Sequence, residues 1–167
     1  MSAGNVHIRA SLLLAAGFSA GALISQNTGL LECVAGSLAG IMISPDLDVD
    51  AGNVSNTIIK KKIGWFGERL WRWFWRPYAS SFKHGQFASH CPIFGTLVRL
   101  AYIYFWTVLP VEITYFLILR LLNYHLDLRY EFMYWIRIIF SPMFVYGLVS
   151  SDTIHYFLDL LTKEKAR

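Results

Sequence analysis

Two histidines, His84 and His90, stand six residues apart in the segment Phe82-Lys83-His84-Gly85-Gln86-Phe87-Ala88-Ser89-His90-Cys91-Pro92. Upstream, Ser44-Pro45-Asp46-Leu47-Asp48-Val49-Asp50 alternates three carboxylates with apolar residues. Downstream, Asp152-Thr153-Ile154-His155 sets an acid and an imidazole three residues apart, a spacing that shares one face of a helix. Three of the chain's five histidines fall in these motifs, and His7 lies near the start. Imidazole nitrogen mixed with carboxylate oxygen is the donor set of zinc and related divalent metals. The candidate ligands are therefore His7, Asp46, Asp48, His84, His90, Asp152 and His155. Asp-x-Asp-x-Asp does not open an EF-hand, which needs Gly at its sixth position and Glu at its twelfth. Ala51 and Thr57 stand there instead. Taken alone, each motif also has a plain reading: a solvated acidic loop beside lysines, a pair of interfacial histidines, a packing pair on a helix. Together they put metal-ligand types on four separate segments.

The elements that position these residues read as membrane helices. The 167 residues are 55% hydrophobic and only 16% charged, against about 25% charged in soluble domains. The net charge of +4 does not point to nucleic acid, because the positive residues cluster beside aromatics as at a lipid headgroup surface. Cys33 and Cys91, with no CxxC pair, give no disulfide framework. No cleavable signal peptide is evident before the first apolar stretch.

Residues 8–25 and 30–44 are apolar and rich in small residues, which let helix backbones approach closely in a membrane, and Gln26-Asn27-Thr28-Gly29 turns between them. Pro45 stops the second segment, and Gly52, Asn53, Ser55 and Asn56 read as an irregular polar loop. After Lys60-Lys61-Lys62, the stretch IGWFGERLWRWFWRPY is too charged to cross a bilayer and reads as an amphipathic interfacial helix. Residues 93–122 make one long span kinked at Pro110, or two short ones, and residues 132–150 a last span. The fold expected is all-α: one domain over residues 1–167, an integral membrane bundle of about four helices plus the interfacial aromatic helix. Four spans place His7, the loop 45–92 and the tail on one face, whereas five would send Asp152 and His155 to the other. The shared face carries most of the lysines and arginines, which makes it cytoplasmic by the positive-inside rule.

The motifs SPDLDVD, WRPYASSFKHGQFASHCPIFGTLVRLAYIYF and SSDTIHYFLD, in that order, resemble the metal-binding, membrane-bound metal-dependent hydrolases, which are similar to the LexA-regulated inner-membrane hydrolases. A more distant resemblance is to the zinc-dependent phospholipase C and P1 nuclease fold, an all-helical scaffold with a multi-zinc site. The similarity runs from His7 through Asp159. Where that family reads Lys-His-Arg-Gly, this chain reads Lys83-His84-Gly85-Gln86 and lacks the Arg, a natural contact for a phosphate or carboxylate.

The expected activity is hydrolysis, of a phosphoester and by fold analogy a lipid headgroup, at the cytoplasmic face of the inner membrane. Asp46, His84, His90, Asp152 and His155 are the expected core ligands, with His7 and Asp48 for a second ion. Zinc is the first expectation and manganese the second. The ion lowers the pKa of its water from 15.7 to about 7, and Asp48 or Asp50 is the expected general base. The alternative is a non-catalytic metal-binding membrane protein with a structural or regulatory ion. A transporter is a third reading, disfavoured by ligands confined to one face rather than the midplane. The expected partners are the lipid bilayer and a divalent metal, and no nucleic acid.

Overall fold

A computed structural model describes residues 3–50, 52–82, 86–122 and 141–165, and every regular element among them is helical. Helix α1 (Ala3–Ser25) and α2 (Gly29–Met42) form an antiparallel pair, followed by a 3₁₀ turn (Pro45–Asp48). Next come α3 (Val54–Ile63), α4 (Trp65–Ser81) and the short α5 (Phe87–His90). Helix α6 (Pro92–Ile103) passes through a π turn (Tyr104–Val108) into α7 (Leu109–Leu122), and α8 covers Pro142–Lys165. Part of the expected last span, residues 132–140, lies outside the described residues, and its remainder opens α8.

Three stretches are long and apolar enough to cross a membrane: Gly4–Ser25, Gly29–Asp48 and Pro92–Ile118. Most of their side chains point outward, with Leu13, Leu23, Ile24, Ile93, Leu97 and Phe105 exposed. Helices that are apolar on the outside suit lipid as their solvent. The stretch beginning at Pro92 is a single helix, so residues 93–122 do not split in two at Pro110. Proline offers no N–H to the preceding turn. The mismatch is taken up just ahead of it, where Leu109 donates its N–H to the Tyr104 carbonyl in a π-type bond.

The small residues of α2 serve its contact with α8 as well as the hairpin with α1. A methyl group on Gly36 would sit 2.1 Å from the Phe144 carbonyl oxygen, and one on Gly147 would sit 2.1 Å from the Cys33 carbonyl oxygen. Only hydrogen at both positions lets the two backbones meet. Ser37 sits in the seam and donates to the Cys33 carbonyl at 2.9 Å and the Gly147 carbonyl at 3.3 Å. This contact fixes the end of α2, and the acidic turn that follows it, against α8.

The polar stretch after Gly52 is helical from Val54, which departs from the irregular loop expected. Asn53 is the reason: its side chain accepts the Asn56 N–H at 2.8 Å and caps α3. The same side chain donates to the carbonyls of Asp46 (3.3 Å) and Val49 (3.1 Å), clamping the acidic turn. Helix α4 is amphipathic as expected. Its Trp75 and Tyr78 bury against Leu47 of the acidic turn, with Tyr102 of α6 packed on them, while Trp65, Phe66, Leu70 and Trp73 face outward.

Candidate metal centre

His7 from α1, Asp46 from the 3₁₀ turn, and His155 and Asp159 from α8 meet at one place. The His155 Nε2 lies 3.4 Å from Asp46 Oδ1 and 3.3 Å from Asp159 Oδ2, and His7 Nε2 lies 3.2 Å from Asp159 Oδ1. The two imidazoles stack, with centroids 3.8 Å apart and planes 18° from parallel. One donor atom each from His7, His155 and Asp159 fall within 4.8 Å of one another. Donors about 2.0–2.2 Å from a single ion at tetrahedral angles stand roughly 3.3–3.6 Å apart; the individual imidazole–carboxylate contacts here, 3.2–3.4 Å, are of that size, those to Asp159 using both of its oxygens.

Two further observations fit a cation. His155 Nε2 is buried and makes no hydrogen bond, although two carboxylate oxygens face it at ion-pair distance. Two carboxylates with two neutral imidazoles also carry the charge that balances a divalent ion. Without an ion, a proton takes its part. Burial works to lower the pKa of His155, but the carboxylates of Asp159 and Asp46 outweigh it and lift the imidazole from 6.5 to about 9. Burial likewise opposes ionisation of Asp159, yet His155 and His7 hold that carboxyl well below its ordinary range.

Beside this group lies a second polar layer. Ser89 donates to Asp48 Oδ2 at 2.9 Å and lies 3.0 Å from His90 Nδ1, which is itself 3.4 Å from Asp48 Oδ2. The His90 ring stands edge-on to His155 at 6.4 Å. Asp48 and His90 are both buried. Asp50, two residues on, turns outward and pairs with Arg72 at 3.0 Å.

Asp152 is set apart from the convergent donors. Its Oδ2 accepts from Arg99 Nη2 and Thr96 Oγ1 of α6, at the centre of the bundle. Arg99 also donates to the Ser89 carbonyl at 3.0 Å, an approach that Gly95 permits, since a methyl there would meet that carbonyl oxygen at 2.4 Å. His84 lies outside the described residues. Of the seven expected ligands, the structure thus brings His7, Asp46 and His155 together, sets Asp48 and His90 alongside, and pairs Asp152 with Arg99.

Sequence reasoning does not single out Asp159 or Arg99. Both carry a signal. Asp159 follows His155 by four residues, one helical turn, and Arg99 is an isolated charge inside an apolar stretch, which is costly in a membrane without a partner.

An all-α chain with membrane-length helices, gathering imidazoles and carboxylates from three segments, belongs to the class of helical metal-binding proteins. Residues 2–167 match the family described as "Uncharacterized metal-binding protein (DUF2227)", and the chain belongs to that family. No curated protein and no solved structure matches it.

Proposed function

We propose that the protein is a membrane-embedded divalent-cation-binding protein, with the ion held by His7, Asp46, His155 and Asp159. The observation that carries this reading is the buried His155 Nε2, facing two carboxylates with no hydrogen bond to either. Two nitrogen and two oxygen donors favour zinc, with manganese second. The lysines and arginines at the same end, including Lys60, Lys61, Lys62, Arg69, Arg72 and Arg76, favour the cytoplasmic side of the membrane. A cobalt(II) titration tests the donor set: a four-coordinate visible spectrum is expected from the full chain and is lost in His155→Ala.

The Asp48–Ser89–His90 layer favours a second, finer reading, a metal-dependent hydrolase acting on phosphoesters. A divalent ion bound beside it supplies Lewis-acid polarisation and makes water a stronger acid. In this reading Asp48 receives the proton of the attacking water. Ser89 and His90 hold the Asp48 carboxylate in one orientation, and the surrounding buried side chains exclude bulk solvent. Asp48 suits the general-base role better than Asp50, whose carboxylate is taken by Arg72. Hydrolysis of a chromogenic phosphodiester by metal-loaded protein, abolished in Asp48→Asn with metal content unchanged, is the result expected. No turnover by the metal-loaded chain would remove the hydrolase reading and leave metal binding intact.

A further inference from the structure

Helix α4 carries a feature that metal binding does not use. Arg69, Arg72 and Arg76 recur at three- and four-residue intervals with Trp65 and Trp73, so all five share one side of the helix. Together with Asp50 and Glu68 they line an open cleft of about 440 Å³. The charges in this cleft do not balance. Glu68 is taken by Lys60 at 3.4 Å and Asp50 by Arg72 at 3.0 Å, whereas Arg69 and Arg76 have no carboxylate partner among the described residues. Trp65 and Trp73 remain 65% and 70% exposed, and Phe66 and Leu70 extend the apolar surface past Arg69.

We infer that this cleft is a docking site for the phosphate headgroup of an anionic phospholipid. The guanidinium fork matches phosphate oxygens two at a time. Tryptophan rings settle at headgroup depth, with an apolar body toward the acyl chains and an N–H toward water. The apolar edge formed by Phe66, Leu70 and Trp73 gives the lipid tail a place that a free anion has no use for. The opposite side of α4 is anchored by Trp75 and Tyr78 on the acidic turn, so the face is presented from a fixed base. Arg72 binds both the carboxylate and the backbone carbonyl of Asp50. The inference rests on membrane embedding and is independent of the metal.

The test uses the full chain in dodecyl maltoside, titrated with dioctanoyl phosphatidylglycerol, dioctanoyl phosphatidylcholine or inorganic phosphate and followed by tryptophan fluorescence and calorimetry. Wild type is expected to prefer phosphatidylglycerol. Arg69→Gln/Arg76→Gln is expected to weaken that binding about thirtyfold, from roughly fivefold per arginine near an anionic surface. Arg69→Lys/Arg76→Lys is expected to fall between wild type and the glutamine variant, because an ammonium keeps the charge but not the two-pronged fork. Both arginines are exposed, so unchanged melting and metal content are expected in these variants and separate this test from the metal reading. Equal affinity for the two lipids, an unaltered preference in the glutamine variant, or inorganic phosphate binding as tightly as the lipid would each overturn the inference.

Discussion

Arg99 of α6 and Asp152 of α8 form an ion pair closed to solvent, with side chains 0% and 1% exposed. The pair ties the helix that follows His90 to the helix that carries His155 and Asp159. Removing one partner of such a pair strands the other charge in the interior, which costs about 3–5 kcal/mol, whereas replacing both by apolar side chains is far milder. Asp152→Ala is therefore expected to lose that much stability in detergent, and Arg99→Met/Asp152→Leu to recover most of it. Denaturation midpoints of the three proteins check the expectation, with equal loss in the single and double variants as the contrary result.

The α2–α8 seam should be as sensitive as the ion pair. Gly147→Ala places a methyl against the Cys33 carbonyl oxygen, a contact relieved only by moving backbone. Overpacking of this kind costs about 1–3 kcal/mol. Because Asp46 follows α2 and His155 rides on α8, metal affinity is expected to fall along with stability. Gly17→Ala, where no atom lies within 4 Å of the added methyl, is expected to leave metal affinity unchanged and to raise stability by about 0.5–1 kcal/mol through helix propensity. Thermal melting and metal titration of both variants separate the two positions.

Protons and metal compete at His155. In the metal-free protein its pKa is lifted from 6.5 to about 9 by Asp159 and Asp46, against burial. A raised folded pKa means that this contribution to stability is complete below pH 6.5 and is lost as pH rises through about 9. At pH 7.5 the imidazole is thus protonated, and a ligating imidazole must be neutral. Metal binding is expected to release close to one proton from His155 at pH 7.5 and almost none well above pH 9. Calorimetry in buffers of different ionisation enthalpy counts those protons, and pH-independent release would contradict the arrangement of donors.

The parts of this fold that are legible in the sequence rest on local chemistry. The small-residue and apolar stretches give the helices, Pro45 ends the second of them, and the interleaving of Trp and Arg gives an amphipathic α4. Asn53 is less transparent, because capping and loop-forming asparagines look alike until the Val49 and Asp46 carbonyls are seen to accept from it. At the site, one end of the bundle gathers His7, Asp46 and His155, as a shared face for the N-terminus, the acidic loop and the tail requires. The partition among the acids is a matter of tertiary structure. The i, i+3 spacing of Asp152 and His155 says that they share a helix face, but only the packing of α6 gives Asp152 to Arg99 and leaves Asp159 to face the histidines.

The proposed site is tested most directly by the metal content of the detergent-purified full chain, by mass spectrometry, in wild type, His155→Ala/Asp159→Ala and His84→Ala/His90→Ala. A stoichiometric divalent ion is expected in wild type and in the His84/His90 variant and none in the His155/Asp159 variant, with helical content preserved in both variants. A metal-free wild type, or an ion that survives loss of His155 and Asp159, would contradict the proposed site.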